Sequence, residues 1–412
     1  MSTDPAIIPR SCPVCTGLES VSLFHQTFSQ FSEGGLMKGY DVAVCTNCGA
    51  GYAGKIPAQS VFDAYYSAMS KYEHGERDGA VSAQDVDIFS KNADVLVPHL
   101  KISDSIADIG CATGALLAEF KRRGFKNVTG FDPSPACCAT ARRLYDIEVR
   151  PSTINGLASV TQKFDVVMMT GVLEHLCDVE SSLRTLICML KPGGRLFLAV
   201  PDASHYHKWF SAPYQFFSME HVNFFAPLSL SNLLARHGLS TSFIRRFPRY
   251  LGPNAVEPVI MGLFRLEADF IAPDSLPFDA ETGEGLRAYV ESSRKLEEQI
   301  QAIVAGLAEA RVPLVVWGAG THTLRLLETS ALATANIVAI VDSNRNYHGK
   351  CLNGIAIVAP SELHNPSATV LISSHVAEQE IKNHILNVLK WPNPIVCLYE
   401  GVPVQIDHQK LH

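Results

Sequence analysis

Short apolar runs of strand length alternate with amphipathic stretches of helix length through the middle of the chain, a pattern that predicts a parallel sheet flanked by helices. In "DSIADIGCATGALLAEFKRRG", Ser105 to Ile109 predicts a strand, a glycine turn follows, and Leu116 to Arg123 predicts an amphipathic helix closing at Gly124. "NVTGFDPSP" ends a second strand at Asp132, and Phe164 to Met169 predicts a third. "MLKPGGRLFLAVP" adds a helix end, a proline–glycine turn and another strand. Further on, "LRAYVESSRKLEEQIQAIVAGLAEA" predicts a long amphipathic helix leading into "VPLVVWGAGTHTLRLLE", a second strand, glycine turn and helix. "ANIVAIVDSN", "GIAIV", "ATVLISSH" and "PIVCLYEG" supply further strand-like runs, so a second, smaller α/β unit is expected. Ahead of these lies a hairpin pattern, "VSLFHQTF … YDVAVC", in which His25 is read as packing between strands. Phe62, Tyr65, Tyr66, Met69 and Tyr72 then recur at helical spacing. Most of them are expected to pack on the next domain; Tyr66 and Tyr72 are set apart as hydroxyls able to reach a site. The division expected is 1–75, 76–245 and 246–412.

Charge and composition narrow the function. The chain has 412 residues, 47% of them hydrophobic and 18% charged, and a net charge of −7. No basic run offers a footprint for nucleic acid. The opening "MSTDPAIIPRSCPVC" lacks the apolar core of a signal peptide, and no apolar run is long enough to span a bilayer. A cytoplasmic protein without membrane or nucleic-acid partners is expected, its eleven cysteines mostly reduced.

Four of those cysteines are paired. Cys12 and Cys15 form "CPVC", and Cys45 and Cys48 form "CTNC". Two such knuckles present four thiolates to one tetrahedral Zn²⁺; with every position filled by protein, the ion would be structural. The remaining cysteines lack ligand spacing and read as small apolar fillers.

Gly110 and Gly114 let the backbone approach a ligand beneath a helix N-terminus, and Asp132, a little over twenty residues beyond the first glycine, can take both hydroxyls of a ribose. His175, in "GVLEHL", lies on the carboxyl edge of the sheet, where open α/β folds bind ligands, with Glu174 beside it. Downstream, "FFSMEHVNFF" sets Glu220 and His221 among Trp209, Phe210, Tyr214, Phe216, Phe217, Phe224 and Phe225. The irregular spacing suits a substrate-covering loop, in which Phe217, Asn223 and Phe224 would touch substrate. An apolar setting favours a neutral imidazole able to accept a proton, which makes His221 a candidate base. The alternative is that Glu220 merely serves the entry of the helix that begins in "APLSLSNLLARHGL".

The ordered series "DIGCATG", "FDPS", "FDVVMMTGVLEHL" and "LKPGGRLFLAVP" resembles class I S-adenosylmethionine-dependent methyltransferases over about residues 104–205. The resemblance implies that Asp108, Gly110, Cys111 and Gly114 surround the methionine and ribose portion of S-adenosyl-L-methionine. It implies that Asp132 binds the ribose, that Pro133 and Ser134 lie near the adenine, and that Thr170, Gly171 and Val172 run beneath the cofactor. With the cysteine clip in front, the chain is similar to a narrower group, the three-domain sugar C-methyltransferases of nucleotide-linked keto sugars in deoxysugar biosynthesis. The fold implied is α/β: a class I methyltransferase Rossmann-like core, an N-terminal zinc-binding domain and a C-terminal Rossmann-like domain. That group carries a "YxEH" pattern; here it reads "SMEH", with Ser218 in the tyrosine's place. The match implies His221 as base, Glu220 as its partner, His175 as the group's histidine after the strand, and Tyr66 as its N-terminal tyrosine.

In the C-terminal unit Gly318, Gly320 and Asp342 imitate a dinucleotide fingerprint that lacks its third glycine, so NAD is weakly indicated. The resembling group uses this domain for the nucleotide portion of its small-molecule substrate, which would bring Gly318, Gly320 and His322, with His375, to a diphosphate. Two other readings stay open: an O-methyltransferase of a sugar or other polar metabolite, and a noncatalytic scaffold that binds S-adenosylmethionine and uses the zinc clip for a partner.

Overall fold

Four consecutive buried residues form strand Ile106–Ile109 in the computed structural model of the chain. A strand covered on both faces needs no alternation, which is why this one is apolar except for Asp108. The structure describes residues 7–32, 35–68, 81–252, 255–270, 273, 275–363 and 367–399. Ile106–Ile109 belongs to a seven-stranded sheet whose order is Leu239–Gly252, Ala255–Leu266, Leu190–Pro201, Phe164–Thr170, Ile106–Ile109, Val128–Asp132 and Val149–Pro151. The last five are parallel; the first two form an antiparallel hairpin on the edge. Helices Ala115–Arg122, Pro135–Tyr145 and Val179–Cys188 make the crossovers.

The boundary expected between residues 245 and 246 falls inside strand Leu239–Gly252, and the sheet runs on to Leu266. Ala255–Leu266 begins with ten buried residues in succession, so this strand is interior to the seven-stranded layer and cannot be divided from it. The C-terminal unit is a six-stranded sheet ordered Cys351–Leu352, Ile355–Val358, Ile337–Val341, Leu314–Trp317, Thr369–Ile372 and Ile395–Cys397. It is parallel apart from the first strand.

The N-terminal block is a four-stranded antiparallel sheet, and one of its strands comes from far along the chain. Ser20–Thr27, Gly39–Cys45 and Gly51–Ala53 pair in sequence; Asn223–Phe224 then adds to the edge, with Asn223 opposite Tyr52. His25 does not pack here as expected. It is mostly exposed and pairs with Asp41 at 2.7 Å.

Helix Ala280–Glu309 is about 45 Å long at 1.5 Å per residue. Leu286, Tyr289, Val290, Ser293, Leu296, Ile300 and Val304 lie along its buried stripe at helical spacing. The helix packs against the turn Ala203–Lys208, where an added Cβ on Gly285 would come within 2.3 Å of the Ser204 carbonyl oxygen. Tyr289 also pins the aromatic stretch: the Phe216 N–H donates to its hydroxyl at 3.0 Å, and the Phe217 ring meets its ring edge-on at 5.1 Å.

That stretch corrects the expectation of a substrate-covering loop. Tyr214, Phe216, Phe217, Phe224 and Phe225 are buried. Phe216 stacks on Tyr206 at 4.3 Å, and Tyr214 on Phe24 at 4.3 Å. One apolar cluster runs from Phe28 and Tyr40 through Phe217, Phe224 and Tyr289 to Leu314 of the C-terminal sheet and Leu324 of helix Thr321–Thr329. The irregular spacing reflects side chains reaching several different elements. No helix among the described residues is long and apolar enough to cross a membrane.

Candidate active site

The first glycine turn sits at the carboxyl edge of the large sheet. Gly110 has φ 73°, and an added Cβ would come within 2.5 Å of a Val172 methyl; Gly114 and Gly171 also have positive φ. The Ala112 N–H donates to Asp132 Oδ2 at 2.8 Å, and the Ser134 N–H to Asp132 Oδ1 at 2.9 Å. Ser134 is buried, and its own hydroxyl caps helix Pro135–Tyr145 by accepting from the Cys137 N–H at 3.1 Å. Cys111 is buried against Gly130. Pro133, Thr170 and Val172 are part-buried on the same edge.

Two carboxylates at this edge want a cation. Asp108 is buried, and its Oδ1 has no hydrogen-bond partner among the described residues. Burial, and then the charge of Asp132, pushes its carboxyl up to about 8. Glu174 Oε2 is likewise buried without a partner among the described residues, and burial raises that carboxyl too. S-adenosylmethionine carries an ammonium and a sulfonium, so orphaned acids around a tight glycine turn fit that molecule.

A second set of side chains converges beside this edge. The Tyr66 hydroxyl lies 2.9 Å from His175 Nδ1 and donates to Glu220 Oε2 at 3.5 Å; the Tyr65 hydroxyl donates to Glu220 Oε1 at 3.0 Å. His175 Nδ1 also lies 3.0 Å from the Glu220 carbonyl oxygen. A carbonyl oxygen only accepts, so Nδ1 carries a proton. The rings of His175 and His221 meet edge to face at 4.8 Å. Glu174, His175 and His221 each place a polar atom within 4.8 Å of the other two. The structure thus brings Tyr66, His175, Glu220 and His221 together; Tyr72 lies outside the described residues.

The loop is fixed from below. Ser218 Oγ accepts the N–H groups of Glu220 and His221 at 3.3 and 3.2 Å, so the residue standing in the tyrosine's place forms a local turn. Tyr40 donates to the Ser218 carbonyl at 2.8 Å, and Gln26 to the Phe217 carbonyl at 2.9 Å. Phe217 and Phe224, expected at substrate, have no exposed surface and anchor the loop instead. Asn223, expected there too, is buried. Its amide donates to the Leu173 and Leu176 carbonyls, both at 2.8 Å, clamping the turn that bears His175.

Two residues here escaped sequence reasoning. Tyr65 was read as packing, although adjacent tyrosines on a helix can share one broad face. Arg10 carries no sequence signal. Its half-buried side chain donates to Cys177 O at 3.0 Å, Val222 O at 2.9 Å, Leu176 O at 3.1 Å and Asn223 Oδ1 at 2.6 Å, stitching the two histidine-bearing turns together.

The four paired cysteines meet as their spacing suggests, with sulfurs within 4.8 Å of one another. Cys12 and Cys48 Sγ are 3.6 Å apart, and Cys15 and Cys45 Sγ are 3.5 Å apart. Sulfurs around a tetrahedral zinc stand about 3.8 Å apart for bonds near 2.3 Å, so this donor set fits that ion.

In the C-terminal unit a cavity of about 690 Å³ opens at the second glycine turn, lined by Gln26, Tyr214, Trp317, His322, Asp342 and His375 among others. Gly318 and Gly320 line it too, Gly318 with φ 111°. Its wall includes residues 212–215, which lead directly into the Ser218–His221 turn.

Residues 85–241 match a family model described as a methyltransferase domain, and residues 311–393 match one described as C2185-like, N-terminal. A ubiquinone biosynthesis O-methyltransferase of Methylobacterium sp. (strain 4-46) is 33% identical over 111 residues, 26% of this chain and 44% of that protein. One from Brucella ovis is 38% identical over 97 residues, 22% of this chain and 39% of that protein. The chain spans less than half the length of these relatives. Among solved structures, the N-methyltransferase NodS of Bradyrhizobium japonicum WM9 with S-adenosylhomocysteine has a TM-score of 0.38 at 17% identity, over 49% of this chain and 97% of that one. The Burkholderia thailandensis 1,6-didemethyltoxoflavin-N1-methyltransferase has a TM-score of 0.40 at 18% identity, over 54% and 97%. Residues 85–241 therefore form a methyltransferase domain.

Proposed function

We propose that this protein methylates a nucleotide-linked keto-deoxysugar at carbon, with S-adenosylmethionine as donor and His221 as base. The observation that carries the reading is the convergence of Tyr66, His175, Glu220 and His221 beside the glycine turn. The residues that would hold the donor are Asp108, Asp132 and the backbone of Gly110 to Gly114. When bound, S-adenosylmethionine supplies a methyl group already activated by its sulfonium. The chain must then align the acceptor, remove one proton and exclude water.

His221 takes the proton from the carbon beside the ketone. Glu220, next along the chain and held by both tyrosines, favours the imidazolium that forms. His175 and Tyr66 meet the charge that gathers on the ketone oxygen. The cysteine set holds a structural zinc. In the test, His221→Ala keeps S-adenosylhomocysteine binding and loses turnover; full activity in that variant removes His221 from the scheme.

A second reading, O-methylation by the same base, is favoured by the names of the relatives, which are O-methyltransferases. Product NMR separates the two, since a methyl on carbon and a methoxy group resonate apart.

A further inference from the structure

Besides the cysteine set, one further group of metal-binding side chains converges among the described residues: Glu174, His175 and His221. Glu174 Oε1 lies 3.9 Å from His175 Nε2, and the His175 and His221 rings meet edge to face at 4.8 Å. His175 is held from its far side. Its Nδ1 carries a proton toward the Glu220 carbonyl oxygen at 3.0 Å, so Nε2 is the ring nitrogen offered to Glu174. A backbone carbonyl on the opposite ring nitrogen is a usual outer partner of a metal-bound imidazole, because it fixes both tautomer and ring orientation.

Glu174 adds an independent observation. It is 2% exposed, and its Oε2 has no hydrogen-bond partner among the described residues, so a buried carboxylate oxygen stands ready for a cation. The spacing is near that of a bound set. Ligand atoms about 2.1 Å from one tetrahedral ion stand about 3.4 Å apart. Glu174 and His175 are within about 0.5 Å of that separation, and the three polar atoms, all within 4.8 Å of one another, would draw in by at most about 1.4 Å. Both histidines are part-buried, which leaves the ion a way in.

We propose that Glu174, His175 and His221 form a second metal site, for a borderline divalent transition-metal ion such as Zn²⁺, Co²⁺ or Ni²⁺. Two imidazoles and one carboxylate suit those ions, whereas Mg²⁺ and Ca²⁺ prefer oxygen ligands. Three protein ligands leave a coordination position open, unlike the closed cysteine set. They also hold an ion less tightly than four thiolates, so washed protein keeps only the cysteine zinc. The site itself does not rest on the reading above; its consequence does. A metal ion takes the His221 nitrogen that proton abstraction needs, so a filled site and a working base exclude each other.

The test uses the full, donor-free chain, washed so that only the cysteine set keeps its zinc, and titrates it with Co²⁺. One further ion per chain should bind and give the visible absorption of a cobalt site with nitrogen and oxygen ligands, without the near-ultraviolet charge-transfer bands of thiolates. Glu174→Gln, His175→Ala and His221→Ala should each weaken that binding by about tenfold or more, since loss of an outer partner alone typically costs that much. Should one variant not fold, the other two decide. No Co²⁺ bound beyond the cysteine set overturns the inference. So does an ion whose spectrum carries thiolate bands, or one whose affinity the folded variants leave unchanged. None of these results bears on the methyl acceptor or on His221 as base, which the turnover of His221→Ala and product NMR decide.

Discussion

The Tyr66 hydroxyl stands 2.9 Å from His175 Nδ1, joining a helix of the cysteine-bearing block to the turn that closes a strand of the large sheet. The same hydroxyl reaches the Glu220 carboxylate, so one phenol ties together two groups assigned to proton handling.

Tyr66→Phe removes both bonds and keeps the ring in its edge-on contact with His175. Turnover should fall by about ten- to a hundredfold, the range of a positioned proton-transfer partner, with the KM for S-adenosylmethionine little changed. Steady-state methyl transfer measures both. An unchanged turnover number would take the phenol out of the site.

Asp108 gives a pH test with a definite sign. Its carboxyl is at about 8 in the folded chain against an ordinary 3.8, through burial first and Asp132 second. Between those values the folded protein holds a proton that the unfolded chain has released, so this group makes stability fall as pH rises from about 4 to 8. Asp108→Asn should flatten that slope in the donor-free protein. Cationic donor binding favours the ionised acid, so binding should release a proton near neutrality and tighten toward pH 8. Calorimetry in buffers of differing ionisation enthalpy reads the proton directly.

Two glycines on one helix should respond in opposite ways. Gly285→Ala drives a Cβ to within 2.3 Å of the Ser204 carbonyl oxygen and should cost about 1–3 kcal/mol in chemical denaturation, as overpacking does. Gly306, on the same helix, has nothing within 4 Å of its added Cβ. Gly306→Ala should stabilise by up to about 1 kcal/mol through helix propensity.

Metal removal probes the cysteine set. Elemental analysis should find one zinc per chain, lost in Cys45→Ser. The Asp279 N–H, at the start of the long helix, donates to the Cys48 carbonyl at 2.9 Å, so loosening the knuckle should loosen that helix as well. A melting temperature lower by at least about 5 °C is expected. Retained metal in Cys45→Ser would argue against four-thiolate ligation.

What the sequence made legible is what lies close together along it. The cysteine knuckles, the positive-φ glycine at 110 and the acid at 132 follow from spacing within a few dozen residues. What stayed hidden depends on partners far apart in the chain. Arg10 meets Asn223, and Tyr65 meets Glu220, across more than 150 residues, and no local pattern marks either pair. Asn223 and Phe224 read as loop because two residues are too few for an alternation to register. The hairpin Leu239–Leu266 was split because the expected boundary followed the end of the recognised motifs, whereas its burial belongs to the sheet beside it. The aromatics around Glu220 drew attention as a ligand wall, yet most of them are the seam where three layers meet.

The two-residue strand Asn223–Phe224 has a consequence for how such a chain can be cut or recombined. It completes a sheet whose other strands all lie before residue 54, so the segment carrying Glu220 and His221 is threaded through the amino-terminal block. A fragment starting after that block would strip the Glu220–His221 segment of its strand partner Tyr52 and of its bonds to Tyr40 and Gln26, and a graft of the block from another protein would have to bring a matching edge. The Glu220–His221 segment and the amino-terminal block thereby form one structural unit.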